Sequence, residues 1–281
     1  MDDDEMREQI YEFLKKKKGE LVFASTNEKP IILDYSEFDK YEPDLAGKLL
    51  EKPEEMFELM GEVLKDFELP NEVGIQFKNL PESRGIRIRN LRTKHMDTFL
   101  NVDGMVKVAS EVKPRIYETI YECQECGEEF ALEQAGSTII KPFLCPNCRK
   151  RTTFKFLEKK MYDSRWLTIQ EPFEITSGEK PGEIKVFLKK ELTVPHLQRK
   201  TDPGSRILVN GVLKELPRII RSIEATQSDI YIEANYIELA EKELDDLEIS
   251  KKDEKEILEL VKQPKSYDKL VNSIAPSIYG N

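Results

Sequence analysis

The chain has 281 residues, 35% of them charged, a formal net charge of −10 and four cysteines. That length suits about two domains. No apolar run approaches the roughly 20 residues that span a bilayer, and the acidic start MDDDEMRE is unlike a secretory or mitochondrial leader. The expectation is an intracellular, cytoplasmic chain with a solvated surface and no membrane partner.

Residues 101–221 hold 21 Lys/Arg against 17 Asp/Glu, a balance of +4, while the remainder holds 23 against 37, a balance of −14. A middle segment opposite in sign to its flanks reads either as a surface for an anionic partner or as ordinary scatter, because phosphate contacts depend on local charge.

In chain order, Met6, Ile10, Phe13 and Leu14 recur at helical spacing before Lys15–Lys18 and Gly19 end the segment. Leu21-Val22-Phe23 and Ile31-Ile32-Leu33 read as short strands. Pro53, Glu54 and Glu55 open a second helix, since proline suits the first turn and carboxylates favour the positive end of the dipole. Met56, Leu59, Met60, Val63, Leu64 and Phe67 mark its buried face and Pro70 stops it. Residues 1–85 are thus expected to form a small helical bundle.

From Ile86 the texture becomes β-type: 86–88, 99–108, 116–122, 154–157, 166–170, 184–188, 206–213 and 230–239. About five such runs close a small Greek-key barrel of the oligonucleotide-binding (OB) type. The fold class expected is mainly β with α: an OB-fold barrel over 86–240 and an amino-terminal helical bundle. Gly104 and Gly211 interrupt two apolar strands, as at a bend or bulge.

All four cysteines lie in the β-region as Cys123-x2-Cys126 and Cys145-x2-Cys148, with 18 residues between the pairs. This spacing predicts one structural Zn2+ per chain in a zinc-ribbon-like insertion over about 118–156. Two disulfides or a redox pair are the alternatives, and nothing else suggests a secreted chain. A closed four-thiolate shell leaves no coordination position for a hydrolase or deaminase. His95 and His196 read as surface or turn residues, Trp166 as core, and carboxylate pairs such as Glu128-Glu129 as solvated surface.

Residues 241–248 are acidic and read as a linker, followed by two helical stripes, Ile257, Leu258, Val261 and Tyr267, Leu270, Val271, Ile274. The chain stops at SIAPSIYGN (273–281), which looks like a cut inside a longer protein. This stretch resembles the start of the ATPase module in the minichromosome maintenance (MCM) family of replicative helicases. Ile169-Gln170-Glu171-Pro172 with Pro181 is similar to the family's IQE-P segment, and Asp202-Pro203-Gly204-Ser205-Arg206 to its Pro-Gly turn. Cys123–Cys148 falls where archaeal members carry a zinc module. Arg165, Gly182 and Ser205 depart from residues common in the family.

The resemblance implies the amino-terminal region of an archaeal MCM helicase: nucleoid-associated, binding single- or double-stranded DNA, forming a hexamer or double hexamer, and coupled to a carboxy-terminal AAA+ ATPase. ATP and Mg2+ would belong to that module, as no Gly-x4-Gly-Lys-Ser/Thr occurs in the chain. It further implies a hairpin over about 214–230 with Lys214, Arg218 and Arg221 facing a channel, and a communication loop holding Gln170 and Glu171. For the barrel itself, Lys113, Arg115, Arg199, Lys200 and Arg206 are the candidate phosphate contacts. No catalytic residue is expected. The alternatives are a zinc-ribbon/OB adaptor in transcription or translation without a motor, and an oligomerisation scaffold without DNA affinity.

Overall fold

The computed structural model describes residues 3–134, 138–172, 180–216, 219–220, 223–224 and 228–240. The chain divides into two units, Met1–Ala240 and Glu241–Asn281. The expected linker, the two tail stripes, SIAPSIYGN, Arg218 and Arg221 lie outside the described residues.

The amino-terminal part is built from α1 (Asp3–Lys16), α2 (Lys18–Thr26), β1 (Ile31–Asp34), α3 (Tyr35–Tyr41), α4 (Pro43–Glu51), α5 (Pro53–Lys65) and β2 (Ile75–Lys78). Asp3, Asp4 and Glu5 begin α1 and Lys15 and Lys16 end it, which complements the helix dipole. α4 and α5 each start on proline. The strand expected at Leu21–Phe23 is instead part of α2. Leu21 and Ala24, three apart, turn into the core, and Val22 and Phe23 face solvent. Helical periodicity overrode the β-type residue choice, and no neighbouring strand pairs with this segment among the described residues. β1 stands where Ile31–Leu33 predicted it, but it pairs in parallel with β2, a strand the sequence reading lacked.

The barrel follows: β3 (Phe99–Ala109), β4 (Lys113–Cys123), β5 (Glu129–Glu133), β6 (Phe154–Gln170), β7 (Glu183–Lys189), α6 (Pro195–Lys200), β8 (Arg206–Leu216), β9 (Ile219–Ile220), β10 (Ile223–Glu224) and β11 (Asp229–Leu239). Five of these strands close on themselves in the order β3-β8-β11-β7-β6, with β6 returning to β3. β7 and β11 run parallel and the other barrel pairs antiparallel. Leu100, Val102, Leu167, Ile169, Val186, Val209 and Ile232 fill the interior.

The runs at 154–157 and 166–170 are one strand. Its second half belongs to the barrel and its first half pairs with β4, outside it. The run at Ile86–Ile88 is not a strand. Gly85 makes a single bridge to Asn101, and Ile88 and Leu91 bury themselves against the barrel interior through a 3-10 turn. β6 pairs only with Met105–Ala109, so among the described residues the edge of Phe99–Gly104 opposite β8 takes just this bridge and the bond from Ile86 N to Asn101 O.

Gly211 answers a close approach. A Cβ there would lie 2.5 Å from the Glu233 carbonyl oxygen and 2.6 Å from Ile232, beside the register shift between Ala234 and Tyr236. The extra residue of this bulge, Asn235, is on β11, opposite Gly211, and not in the interrupted strand itself.

Helices and barrel share a core. Phe99 and Val212 of the barrel belong to the helical cluster, with Phe57 edge-on to Phe99 at 5.6 Å. Two barrel asparagines complete the free edge of β2. Asn235 accepts from Phe77 N and donates to Ile75 O, and Asn210 donates to Phe77 O, each at 2.8 Å. Side-chain amides thus stand in for a neighbouring strand and satisfy backbone groups that burial would otherwise penalise.

Candidate metal centre and nucleic-acid interface

β4, β5 and the first half of β6 form a knob between the first and second barrel strands. Buried Tyr121 packs against Phe130 and the exposed Phe156, and Phe130 packs edge-on to Phe154. Gln134, buried, donates to Thr119 Oγ1 and accepts from Ile140 N.

Both CxxC segments turn back through the same bonds: Gly127 N donates to Cys123 O at 2.8 Å and Arg149 N to Cys145 O at 3.0 Å. Each turn needs a residue with positive φ, Gly127 at 71° and Arg149 at 55°. The four Sγ atoms converge within 4.8 Å of one another. Cys123–Cys148 and Cys126–Cys145 are 3.8 and 3.7 Å apart. A tetrahedral shell at about 2.3 Å from zinc needs S···S distances of about 3.8 Å, so the residues fit a single tetrahedral metal. These separations also exclude disulfides, whose sulfurs lie about 2.05 Å apart. The Glu128 amide works to lower the Cys126 pKa, but desolvation and the surrounding thiols outweigh it and push that thiol up to about 12. Four thiolates crowded together need a cation.

The candidate DNA contacts fall into three settings. Lys113 is exposed at the start of β4, and Arg199 is exposed and Lys200 half-buried at the end of α6. None of these three is paired with a carboxylate among the described residues. A buried arginine brings their segments together: Arg165 donates through Nε to Ser110 O at 2.8 Å, through Nη1 to Gln198 O and Thr201 Oγ1, and through Nη2 to Asp202 Oδ1.

Arg115 and Arg206 are engaged. The Arg115 guanidinium lies 5.2 Å from the centre of the Phe187 ring. Arg206 makes a two-pronged pair with Asp103, at 3.2 and 2.8 Å. Lys214 is more committed still, held between Glu54 of α5 and Glu233 of β11. Burial alone would lower its pKa, but those carboxylates outweigh it and hold the pKa above the usual lysine value.

Trp166 was expected in the core. It lies on the outer face of the barrel instead, 4.7 Å from Phe187 and 5.3 Å from Tyr231, because alternation along β6 sends Leu167 and Ile169 inward. Tyr117 and Tyr162 form a further pair 5.6 Å apart.

Gln170 ends β6, half-buried. Glu171, only 3% exposed, accepts from Arg89 N at 3.0 Å, Arg89 Nε at 2.8 Å and Gly182 N at 3.1 Å. Desolvation would raise its pKa, but these donors prevail and hold the carboxyl below the usual value. His95 accepts from Arg92 N in a surface turn, and His196 is exposed on α6. Arg165, Arg89 and Gln134 carry roles that sequence reasoning missed. A charged residue inside an otherwise apolar strand, Ser164-Arg165-Trp166-Leu167, was the one available signal.

A closed OB barrel with a four-thiolate knob between its first two strands defines an OB-fold protein with a metal-binding insertion. Residues 87–217 match the family model described as the MCM OB domain, and the chain is similar to the amino-terminal part of MCM proteins. It is 29% identical over 272 residues to the minichromosome maintenance protein MCM of Saccharolobus solfataricus, covering 90% of this chain and 38% of that protein. It is 28% identical over 228 residues to the DNA replication licensing factor MCM7 of Arabidopsis thaliana, covering 76% of this chain and 31% of that one. The chain therefore spans roughly a third of the length of these relatives. The crystal structure of the N-terminal domain of an archaeal MCM superposes with a TM-score of 0.71 at 22% identity, covering 85% of this chain and all of that one.

Proposed function

We propose that this chain is the DNA-binding, ring-forming amino-terminal region of a replicative DNA helicase of the MCM type, coupled in the full protein to an AAA+ ATPase. The observation that carries the reading is the insertion of a four-thiolate knob between the first two strands of an OB barrel, over the span that matches the MCM OB domain.

OB folds bind oligonucleotides on the face of their second and third strands and through the loops joining strands one to two and four to five. Here those loops carry the knob and the β9–β10 hairpin. Lys113, Arg199 and Lys200 supply uncommitted positive charge for the phosphate backbone. Arg115, Arg206 and Lys214 take part only by sharing a partner they already hold, and the sequence adds Arg218 and Arg221 within the segment 214–230. Preorganised, unpaired cations gain most from releasing counterions.

Zinc, when bound, locks the two knuckles and supplies no open coordination position. The knob then serves assembly. Its exposed Ile139, Ile140, Phe143 and Leu144 form an apolar end for contacts between copies, in a hexamer or double hexamer. Gln170 and Glu171 form the stem of the loop that communicates with the ATPase module.

Native mass combined with anisotropy of a labelled single strand tests this reading. The expected result is a ring-sized oligomer holding one zinc per chain, with log affinity falling linearly in log salt. A monomer with no DNA affinity at low salt contradicts it.

A further inference from the structure

Residues 83–96, SRGIRIRNLRTKHM, contain Arg84, Arg87, Arg89, Arg92, Lys94 and His95 and no carboxylate, in a chain whose net charge is −10. This segment lies across one end of the barrel. Gly85 bridges Asn101, Ile88 and Leu91 are buried in the barrel cluster with Ile86 and Met96 packed against it, and Asp97 N donates to Leu213 O. Three 3-10 turns, Glu82–Arg84, Ile88–Asn90 and Thr93–His95, alternate these anchors with outward cations. The charge is therefore displayed on a fixed backbone.

Glu171 engages Arg89. Among the described residues no carboxylate lies within ion-pair distance of Arg84, Arg87, Arg92 or Lys94. Several other barrel cations are paired: Lys107 holds Glu183, Arg165 holds Asp202, Arg206 holds Asp103 and Lys214 holds Glu54. Arg87, Arg92 and Lys94 are exposed. His95 senses the field of the strip: burial, then Lys94, Arg92 and Arg84, depress its pKa. Four cations without a carboxylate partner lie within eleven residues, Arg92 folded onto the Arg89 and Leu91 carbonyls, and their mutual repulsion is relieved by a polyanion. The Lys113 patch lies at the other end of β3. The strip meets β3 near Asn101 through Gly85 and near Met105 through the Arg89–Glu171 pair, whereas the Lys113 patch meets it at Ser110, five residues or about 17 Å beyond Met105 along a strand.

We propose that the 84–95 strip is a second phosphate-backbone contact for DNA, separate from the Lys113–Arg199–Lys200 patch. The inference rests on the DNA-binding reading above and adds a site to it.

The test uses the whole chain, with the double variant Arg87→Gln and Lys94→Gln. Neither side chain makes a contact that supports the fold, so melting temperature and zinc content should match the unaltered protein. On a labelled single strand, the slope of log affinity against log salt should fall by about 1.4, from roughly 0.7 per lost phosphate contact. Polyglutamate serves as the competing polyanion. If the unaltered chain fails to bind DNA, both readings fall. If Lys113→Gln with Arg199→Gln weakens DNA binding while Arg87→Gln with Lys94→Gln leaves affinity and slope unchanged, the barrel reading stands and the strip is refuted. Loss of polyglutamate binding alone in the strip variant also refutes it, by showing a surface for acidic protein.

Discussion

Arg165 donates to Asp202 at 3.1 Å while its other nitrogens hold Ser110 O, Gln198 O and Thr201 Oγ1. One guanidinium, 7% exposed, thus ties the turn before β4 to the end of α6. Lys113 stands beside the first segment and Arg199 and Lys200 lie in the second, so Arg165 gathers the uncommitted cations without being one of them.

Arg165→Gln keeps hydrogen-bonding capacity for one carbonyl and abandons the rest. The loss of a buried, multiply bonded charge should destabilise the barrel by about 3 kcal/mol, read as a lower denaturant midpoint. DNA affinity at low salt should drop several-fold even in the folded variant, because the two segments separate. A folded variant with undiminished affinity would show that the gathering has no consequence for binding.

Glu171 closes the loop stem by taking three N–H donors, from Arg89 and Gly182. Its carboxyl is more acidic in the folded chain than the ordinary value of 4.5. Its stabilising contribution is therefore complete above about pH 4.5 and is lost as pH falls through the lower folded value. Glu171→Gln should flatten that part of the acid-unfolding curve and reduce stability at neutral pH by about 2 kcal/mol. Parallel acid curves for the two proteins would count against the clamp.

Cys145→Ser removes one of four converging thiolates. Zinc content should fall to near zero and the oligomer should dissociate. The near-ultraviolet signal of the barrel should persist, since the chain's single tryptophan, Trp166, packs on barrel residues outside the knob. DNA binding should weaken only as a consequence of lost assembly. Weak DNA binding by a variant with full zinc and unchanged oligomer size would reverse that order.

Gly211→Ala forces a Cβ to within 2.5 Å of a backbone carbonyl oxygen. The backbone of β8 or β11 must move, at a cost of about 2 kcal/mol or more. A thermal melt superimposable on that of the unaltered chain would mean the bulge has room that its geometry denies.

The strands around the barrel were legible where inward and outward residues alternate cleanly, as in Leu100–Val106 of β3 and Leu167–Gln170 of β6, and because Gly211 carries a backbone reason. The cysteine geometry was legible from spacing alone. Leu21–Phe23 and Ile86–Ile88 misled because a short apolar run fits a strand, a helix face or a capping segment equally, and only its neighbours decide. Trp166–Gln170 looked like a strand separate from Phe154–Leu157 because nothing local reveals that β6 crosses from knob to barrel. The engagement of Lys214 with Glu54 joins residues 160 positions apart, which single-sequence charge counting cannot see. Trp166 was assigned inward because a large ring suggests core, whereas the parity of β6 puts it outside.

The central claim is that the barrel binds DNA through Lys113, Arg199 and Lys200. Anisotropy titrations of a labelled single strand across a salt series, with the unaltered chain and with the Lys113→Gln, Arg199→Gln, Lys200→Gln triple variant, test it most directly. The account predicts weaker binding by the variant at every salt concentration and a slope smaller by about 2, at roughly 0.7 per phosphate contact. Equal affinity and equal slope for the two proteins would contradict it.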